Sequence, residues 1–316
     1  RGKAEVYSCS VENRTRFFAA YSSGDRTRSF LKVQDGCDYK CAYCTIHYAR
    51  GSSRNIPIAD IVAEAKEIAA AGQKEIVITG INTGDFGRTT GERFIDLLRE
   101  LDGVDGIERY RISSIEPNLI TDEIIEFCAQ SPKFVPHFHI PLQSGSTRIL
   151  GLMRRRYTAE RYRERIAKIR ELMPDSFLGV DVIVGFPDES EEDFMQTYQL
   201  LEDGGASFLH ISPSSVRAGT PAVDMPNKIQ PRISTERVSR LEELSTRLHN
   251  DFAKRYLGTE REVLFESTDR RGMMYGYTDN YLRVKCKYDT SKINQICMVR
   301  LLEIDTDGDI MAEIVG

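Results

Sequence analysis

Three cysteines fall within eight residues, in Cys37-Asp38-Tyr39-Lys40-Cys41-Ala42-Tyr43-Cys44. Thiolates spaced this way bind soft metals or carry redox chemistry. A secreted disulfide scaffold of this length would need more, and more evenly spread, cysteines than the seven present. Three kinds of centre fit. A structural zinc site needs four ligands, and His47 can supply the fourth. A conventional iron–sulfur carrier needs four thiolates per cluster, and Cys9, Cys128, Cys286 and Cys297 are distant in sequence. A four-iron cluster held by three thiolates leaves one iron open to a chelating ligand, such as the amino and carboxylate groups of S-adenosylmethionine.

The loop follows directly on a strand, Phe30-Leu31-Lys32-Val33, and a regular rhythm continues from there. The pattern predicts strands at 75–79, 109–113, 134–140, 177–184 and 207–212. It predicts helices at 58–71, 92–101, 122–130, 158–172 and 190–201. Six strand–helix units of this length predict right-handed crossovers and a parallel sheet, either doubly wound or an incomplete barrel. In both, chemistry belongs at the C-terminal ends of the strands, where the cysteines lie. Pro213, Pro221, Pro226 and Pro231 break the rhythm, a long helix follows at 234–257, and from Gly258 five short strands predict a small β-barrel. The expected organisation is a linker at 1–28, an α/β domain at 29–233, a connecting helix at 234–257 and the barrel at 258–316.

The 316 residues suffice for about two domains, and 41% hydrophobic with 29% charged residues excludes a disordered chain. No apolar run approaches the ~20 residues of a membrane span. A net charge of −5 excludes a chain built throughout to coat nucleic acid. Locally, 148–170 holds nine Lys/Arg against two Asp/Glu, including Arg154-Arg155-Arg156, and the terminal module holds eight against eleven. In that module Arg283, Lys285 and Lys287 alternate beside Tyr275, Tyr277 and Tyr281, a pattern suited to stacking and phosphate contact. The chain opens without Met, as a fragment or trimmed chain would.

The cysteine pattern, with Tyr43 before the last Cys, resembles the signature of radical S-adenosylmethionine enzymes, a family with a partial (β/α)6 barrel. Further motifs resemble its methylthiotransferase branch. They include Gln34-Asp35-Gly36-Cys37, Thr79-Gly80-Ile81-Asn82, Ser113-Ser114-Ile115-Glu116, His139-Ile140-Pro141-Leu142-Gln143-Ser144-Gly145, Met153-Arg154-Arg155-Arg156-Tyr157 and Asp181-Val182-Ile183-Val184-Gly185-Phe186-Pro187. The module from about Leu257 resembles a TRAM domain, an RNA-binding barrel. Within the branch, the chain most resembles the tRNA threonylcarbamoyladenosine methylthiotransferases.

The resemblance implies that Cys37, Cys41 and Cys44 hold a 4Fe–4S cluster. This cluster would deliver one electron to S-adenosylmethionine, and the resulting 5′-deoxyadenosyl radical would open the C2–H of a modified adenine beside the anticodon. An aromatic C–H is too weakly acidic for acid–base chemistry, so the cofactor carries that step. It implies that Tyr43, Gly80, Ser113, Glu116, Gln143, Asp181, Val184 and Gly185 contact S-adenosylmethionine. Arg154, Arg155, Arg156, Arg217, Arg283 and Lys285 would contact RNA, with one of the 154–156 arginines reading the threonylcarbamoyl carboxylate. It also implies a tRNA anticodon stem-loop as partner, a reductant such as flavodoxin or ferredoxin, a cytoplasmic location, and a second 4Fe–4S cluster in an N-terminal domain that this chain lacks, leaving it incompetent for full sulfur insertion. The chain departs from the family pattern at His47, Asp188, Ser212 and Ser214. The alternatives are a sister methylthiotransferase acting on isopentenyladenosine or a ribosomal-protein aspartate, and a zinc-stabilised RNA-binding module without catalysis.

Overall fold

The computed structural model describes residues 27–315. Cys9 and most of the expected N-terminal linker lie outside the described residues. Six parallel strands carry the first unit: β1 (Arg28–Lys32), β2 (Glu75–Thr79), β3 (Arg109–Ile112), β4 (His137–His139), β5 (Phe177–Val184) and β6 (Phe208–Pro213). They pair in chain order as β1-β2-β3 and β4-β5-β6. The bridges Tyr110↔Phe134 and Ser114↔His139 join the two halves, so the sheet curves as an open barrel rather than winding doubly.

The connecting helices are amphipathic. They run from α1 (Ile46–Arg50) and α2 (Ile58–Ala70) through α3 (Phe94–Asp102), α4 (Asp122–Gln130), α5 (Thr147–Leu152), α6 (Ala159–Leu172) and α7 (Glu191–Asp203). Thr121, Ser146, Thr158 and Ser190 cap four of them through side-chain oxygens, each satisfying an otherwise free N–H. Ser190 and Asp193 form a reciprocal capping box. Leu31, Ile61, Ile76, Ile78, Leu97 and Val180 are among the buried apolar side chains of the core that the helices close over the sheet.

The last long helix, α8 (Pro231–Lys254), starts three residues before its expected position. Pro231 does not break it but opens it, because the missing N–H costs nothing at the first helical position. Leu241 and Leu244 join the first core, while Phe252 and Ala253 join a second. That second core fills a closed five-stranded barrel of order β10-β11-β9-β8-β7. Its strands are β7 (Glu260–Arg270), β8 (Met273–Thr278), β9 (Arg283–Lys287), β10 (Ile296–Ile304) and β11 (Ile310–Ile314).

The small barrel docks on the N-terminal ends of the parallel strands. Arg109, at the start of β3, is 3% exposed and donates to the carbonyls of Tyr277 (3.0 Å) and Glu262 (2.9 Å). Phe177, at the start of β5, belongs to the second core. The cysteine loop therefore occupies the opposite end of the sheet.

Candidate cofactor and substrate site

Beyond β1 the chain turns sharply into the cysteine loop. Gln34 is fully buried and clamps the turn: its Nε2 donates to Gly36 O (2.7 Å) and Ser53 Oγ (2.9 Å), and its Oε1 accepts from Asn82 N (2.8 Å). Asp35 accepts from Gly36 N (2.8 Å) and pairs with Lys32 (3.0 Å) and Arg54 (3.2 Å). Gly36 has φ +76°, and a Cβ there would lie 2.0 Å from the Ser52 carbonyl oxygen, so only glycine passes. The loop is pinned from outside by Ala42 N to Met153 O (2.9 Å) and Ala222 N to Ala42 O (2.9 Å).

The three thiols are free, and each accepts one N–H. Cys37 Sγ accepts from Tyr39 N (3.4 Å), Cys44 Sγ from Ile46 N (3.4 Å) and Cys41 Sγ from Arg155 Nη1 (3.2 Å). Burial pushes the Cys37 thiol up to about 11 and raises that of Cys41 against the pull of Arg155, so metal binding has to displace protons.

This donor set fits a cluster better than a single zinc ion. Ligands of one tetrahedral zinc, at about 2.3 Å each, sit about 3.8 Å apart. Among the described residues the group whose ligand atoms all lie within 4.8 Å of one another is His139, Asp181 and His210; the three sulfurs, with or without His47, form no such group. The remaining described cysteines, Cys128, Cys286 and Cys297, belong to α4, β9 and β10. Three thiolates, each with an N–H donor, would suit an iron–sulfur cluster.

Beside the loop lies a cavity of about 280 Å³, lined by Tyr43, Cys44, Gln143, Asp181, His210, Ser212, Ser214 and Arg217 among others. Five residues expected to contact cluster, cofactor or RNA thus converge there, Tyr43, Cys44, Gln143, Asp181 and Arg217, together with the departures Ser212 and Ser214. Gln143 has φ +65°, and its buried Oε1 has no partner. Asp181 Oδ1 meets His139 Nε2 at 2.7 Å. Burial lowers the pKa of His210, which keeps the ring neutral near pH 7. Gly80 and Ser113 follow β2 and β3 directly, half-buried, at the same end of the sheet.

Other residues singled out from the sequence are engaged by contacts within the protein. Gly185 is a glycine because α8 crosses it, since a Cβ there would lie 2.1 Å from Ser234 Oγ, and its N–H is held by Glu189 (2.9 Å). The Val184 carbonyl accepts from Ser214 N (2.8 Å), so that part of the β5 edge is occupied by protein. Glu116 is ion-paired to Arg155, whose side chain is only 4% exposed. Arg156 stacks on Tyr39 at 3.8 Å, while Arg154 is exposed. In the small barrel, Arg283 pairs with Asp309 (3.0 Å), and Lys285, 6% exposed, is held by Asp305 and Asp307 at 2.6 Å each. Tyr281 is stacked on Tyr277 at 4.7 Å and lies under Arg111 at 4.6 Å. The expected phosphate-binding strand face is thus largely consumed by contacts within the protein.

From the sequence, Gln34 stood in a motif without a role of its own, and His210 was not singled out. An amide directly before Asp35-Gly36-Cys37 was the available signal for the first. Nothing local marks the second, which gains meaning only from its neighbours on β4 and β5.

Comparison with known proteins agrees with this geometry. The radical SAM superfamily profile matches residues 31–201. A threonylcarbamoyladenosine tRNA methylthiotransferase of Bacillus subtilis (MtaB) is 43% identical over 285 residues, covering 88% of this chain and 63% of that protein. A tRNA-2-methylthio-N6-dimethylallyladenosine synthase of Wolinella succinogenes is 36% identical, covering 95% of this chain and 71% of the relative. The chain thus spans a little under two thirds of the first relative's length. Two solved structures share the fold. One is the radical S-adenosylmethionine methyltransferase TsrM of Kitasatospora setae, with tryptophan and a cofactor analogue bound (TM-score 0.52, 16% identity, 78% of this chain and 42% of that one). The other is the coproporphyrinogen III oxidase HemN of Escherichia coli (TM-score 0.51, 14% identity, 70% and 52%). With its open six-stranded barrel, its three-cysteine loop and these relatives, the chain belongs to the radical SAM superfamily and, within it, to the methylthiotransferase family.

Proposed function

We propose that this chain carries the radical-generating and substrate-binding part of a tRNA methylthiotransferase acting on threonylcarbamoyladenosine beside the anticodon. Cys37, Cys41 and Cys44 would hold a 4Fe–4S cluster. When bound, it supplies the electron that breaks the sulfonium of S-adenosylmethionine, giving access to an unactivated C–H. Tyr43, Gly80, Ser113, Gln143 and Asp181 position that cofactor at the strand ends. The electron donor is a low-potential carrier of the flavodoxin or ferredoxin kind. The second cluster implied for the whole protein is held outside the described residues.

The observation that supports the substrate reading is the set of polar side chains, Arg217 above all, that share the lining of the cavity beside Cys44 with Val182, Ile183 and Pro213. Besides Gln143 and Asp181, which the cofactor would take, His210, Ser212, Ser214 and Arg217 line a space that a dimethylallyl arm, a pure hydrocarbon, would leave with unsatisfied polar groups. A threonylcarbamoyl arm brings a hydroxyl, a ureido group and a carboxylate. The Arg217 guanidinium makes no hydrogen bond or ion pair among the described residues, so it is free to meet that carboxylate. Arg217 takes the role that the sequence suggested for the 154–156 arginines, of which Arg155 is already paired.

The test is nucleoside mass spectrometry of tRNA from a strain lacking the full-length gene. The methylthio group should vanish from threonylcarbamoyladenosine and persist on dimethylallyladenosine; the reverse pattern would overturn the substrate assignment. Complementation with Arg217→Gln should restore at most a small fraction of the modification.

A further inference from the structure

We propose that Arg155 sets the reduction potential of the cluster held by the three cysteines, with Glu116 as its electrostatic counterweight. This rests on the cluster assignment above. Arg155 is spent entirely on the loop. Its Nη1 donates to Cys41 Sγ (3.2 Å) and Tyr43 Oη (3.3 Å), its Nε donates to Tyr157 Oη (3.2 Å), and Nη2 meets Glu116. Tyr157 is in turn anchored on the carbonyls of Pro141 and Leu142, 2.9 Å each. The Arg155 backbone N–H bonds to Leu150 O (2.9 Å). The guanidinium therefore has one place to be, in contact with a ligating sulfur and out of water.

A buried cation donating to a thiolate favours the more negative state of a cluster. Reduction adds one electron from the external reductant and needs no proton and no bond broken, so the reduced form gains the most from Arg155. The Glu116 carboxylate acts in the opposite sense, because its negative charge lies close to the same thiols and partly cancels the field of Arg155. Neither residue needs to touch the substrate for this. Both are positioning residues, and their effect is read on the cluster itself.

The experiment is an anaerobic redox titration of the reconstituted chain, followed by electron paramagnetic resonance, for wild type, Arg155→Met, Arg155→Lys and Glu116→Gln at equal iron content. Arg155→Met should shift the oxidised–reduced equilibrium at least tenfold toward oxidised, about 59 mV for one electron. Arg155→Lys should fall between it and wild type, and Glu116→Gln should shift the equilibrium the other way. Opposite signs exclude a merely structural role. Unshifted midpoints, or both charge-removing variants shifting together, would overturn the proposal while the cluster assignment stands. Should Arg155→Met fail to hold iron, Arg155→Lys and Glu116→Gln decide the matter. A wild-type chain that takes up no iron overturns the cluster assignment, and this proposal with it.

Discussion

At the scale of single residues, the cysteine loop depends on a few positions that the backbone leaves no choice about. Gly36 is one: a methyl group there runs into the Ser52 carbonyl at 2.0 Å in a left-handed conformation. Gly36→Ala should therefore open the loop and cut the iron retained after reconstitution several-fold, while the melting temperature of the rest of the barrel moves little. Iron content near wild type would mean that the turn can shift without loss. Spacing alone picked out the three thiols, and the structure adds what spacing could not, one N–H donor for each sulfur. The donor to Cys41 comes from Arg155, 114 residues away. A run of arginines reads locally as a solvated or phosphate-binding face, and only the fold reveals that its middle member is buried against Glu116.

At the scale of elements, the junction between the sheet and the small barrel rests on a buried charge cluster. Glu75, at the start of β2, bonds Arg111 at 3.0 Å and lies 4.0 Å from Arg109, with all three side chains nearly inaccessible. Burial alone would raise the Glu75 carboxyl, but Arg111 and Arg109 overcome it and hold the group below the usual carboxylate range. Glu75→Gln leaves two buried guanidinium groups without a counter-charge and should cost about 3–5 kcal/mol in chemical denaturation. The pH dependence follows in sign. The folded value lies below the unfolded one of about 4.3, so this stabilisation is complete above that pH and is lost as pH falls through the folded value. The variant should lack that portion of the acid loss; an equal acid limb in both proteins would contradict the pairing.

The strand–helix rhythm was legible in the sequence because it is local: apolar runs of four or five residues, caps at Thr121 and Ser190, and turns between them. The start of α8 was misread because a proline carries opposite meanings inside a helix and at its first position. The short α5 (Thr147–Leu152) was missed because its Ser146 cap precedes only six residues, too few for a periodic signal. The ion pairs of Lys285 and Arg283 were not legible for a different reason. Their aspartate partners all come from the β10–β11 turn, and no local pattern announces a pairing about twenty residues away.

At the scale of the whole molecule, the cysteine loop and the small barrel lie at opposite ends of one parallel sheet. Were an RNA to bring its target base to the cavity beside Cys44, the exposed Arg217 of its lining, Lys40 of the cysteine loop and Arg154 just beyond α5 would be the cations to meet it. Neutral substitution of each should reduce the salt dependence of anticodon stem-loop affinity by about one charge. Lys285→Gln should instead lower the melting temperature and leave that slope unchanged, because Lys285 is already neutralised by two aspartates. The opposite assignment of effects would place the RNA on the small barrel.

The proposed chemistry depends on an open iron that the cysteine loop would hold. The most direct measurement is the electron paramagnetic resonance spectrum of the anaerobically reconstituted, dithionite-reduced chain, recorded with and without S-adenosylmethionine alongside iron and sulfide analysis. The account predicts about four irons and four sulfides on the described loop, a spectrum that changes when the cofactor is added, and loss of both in Cys41→Ala. A colourless protein holding one zinc, or a cluster spectrum indifferent to S-adenosylmethionine, would contradict it.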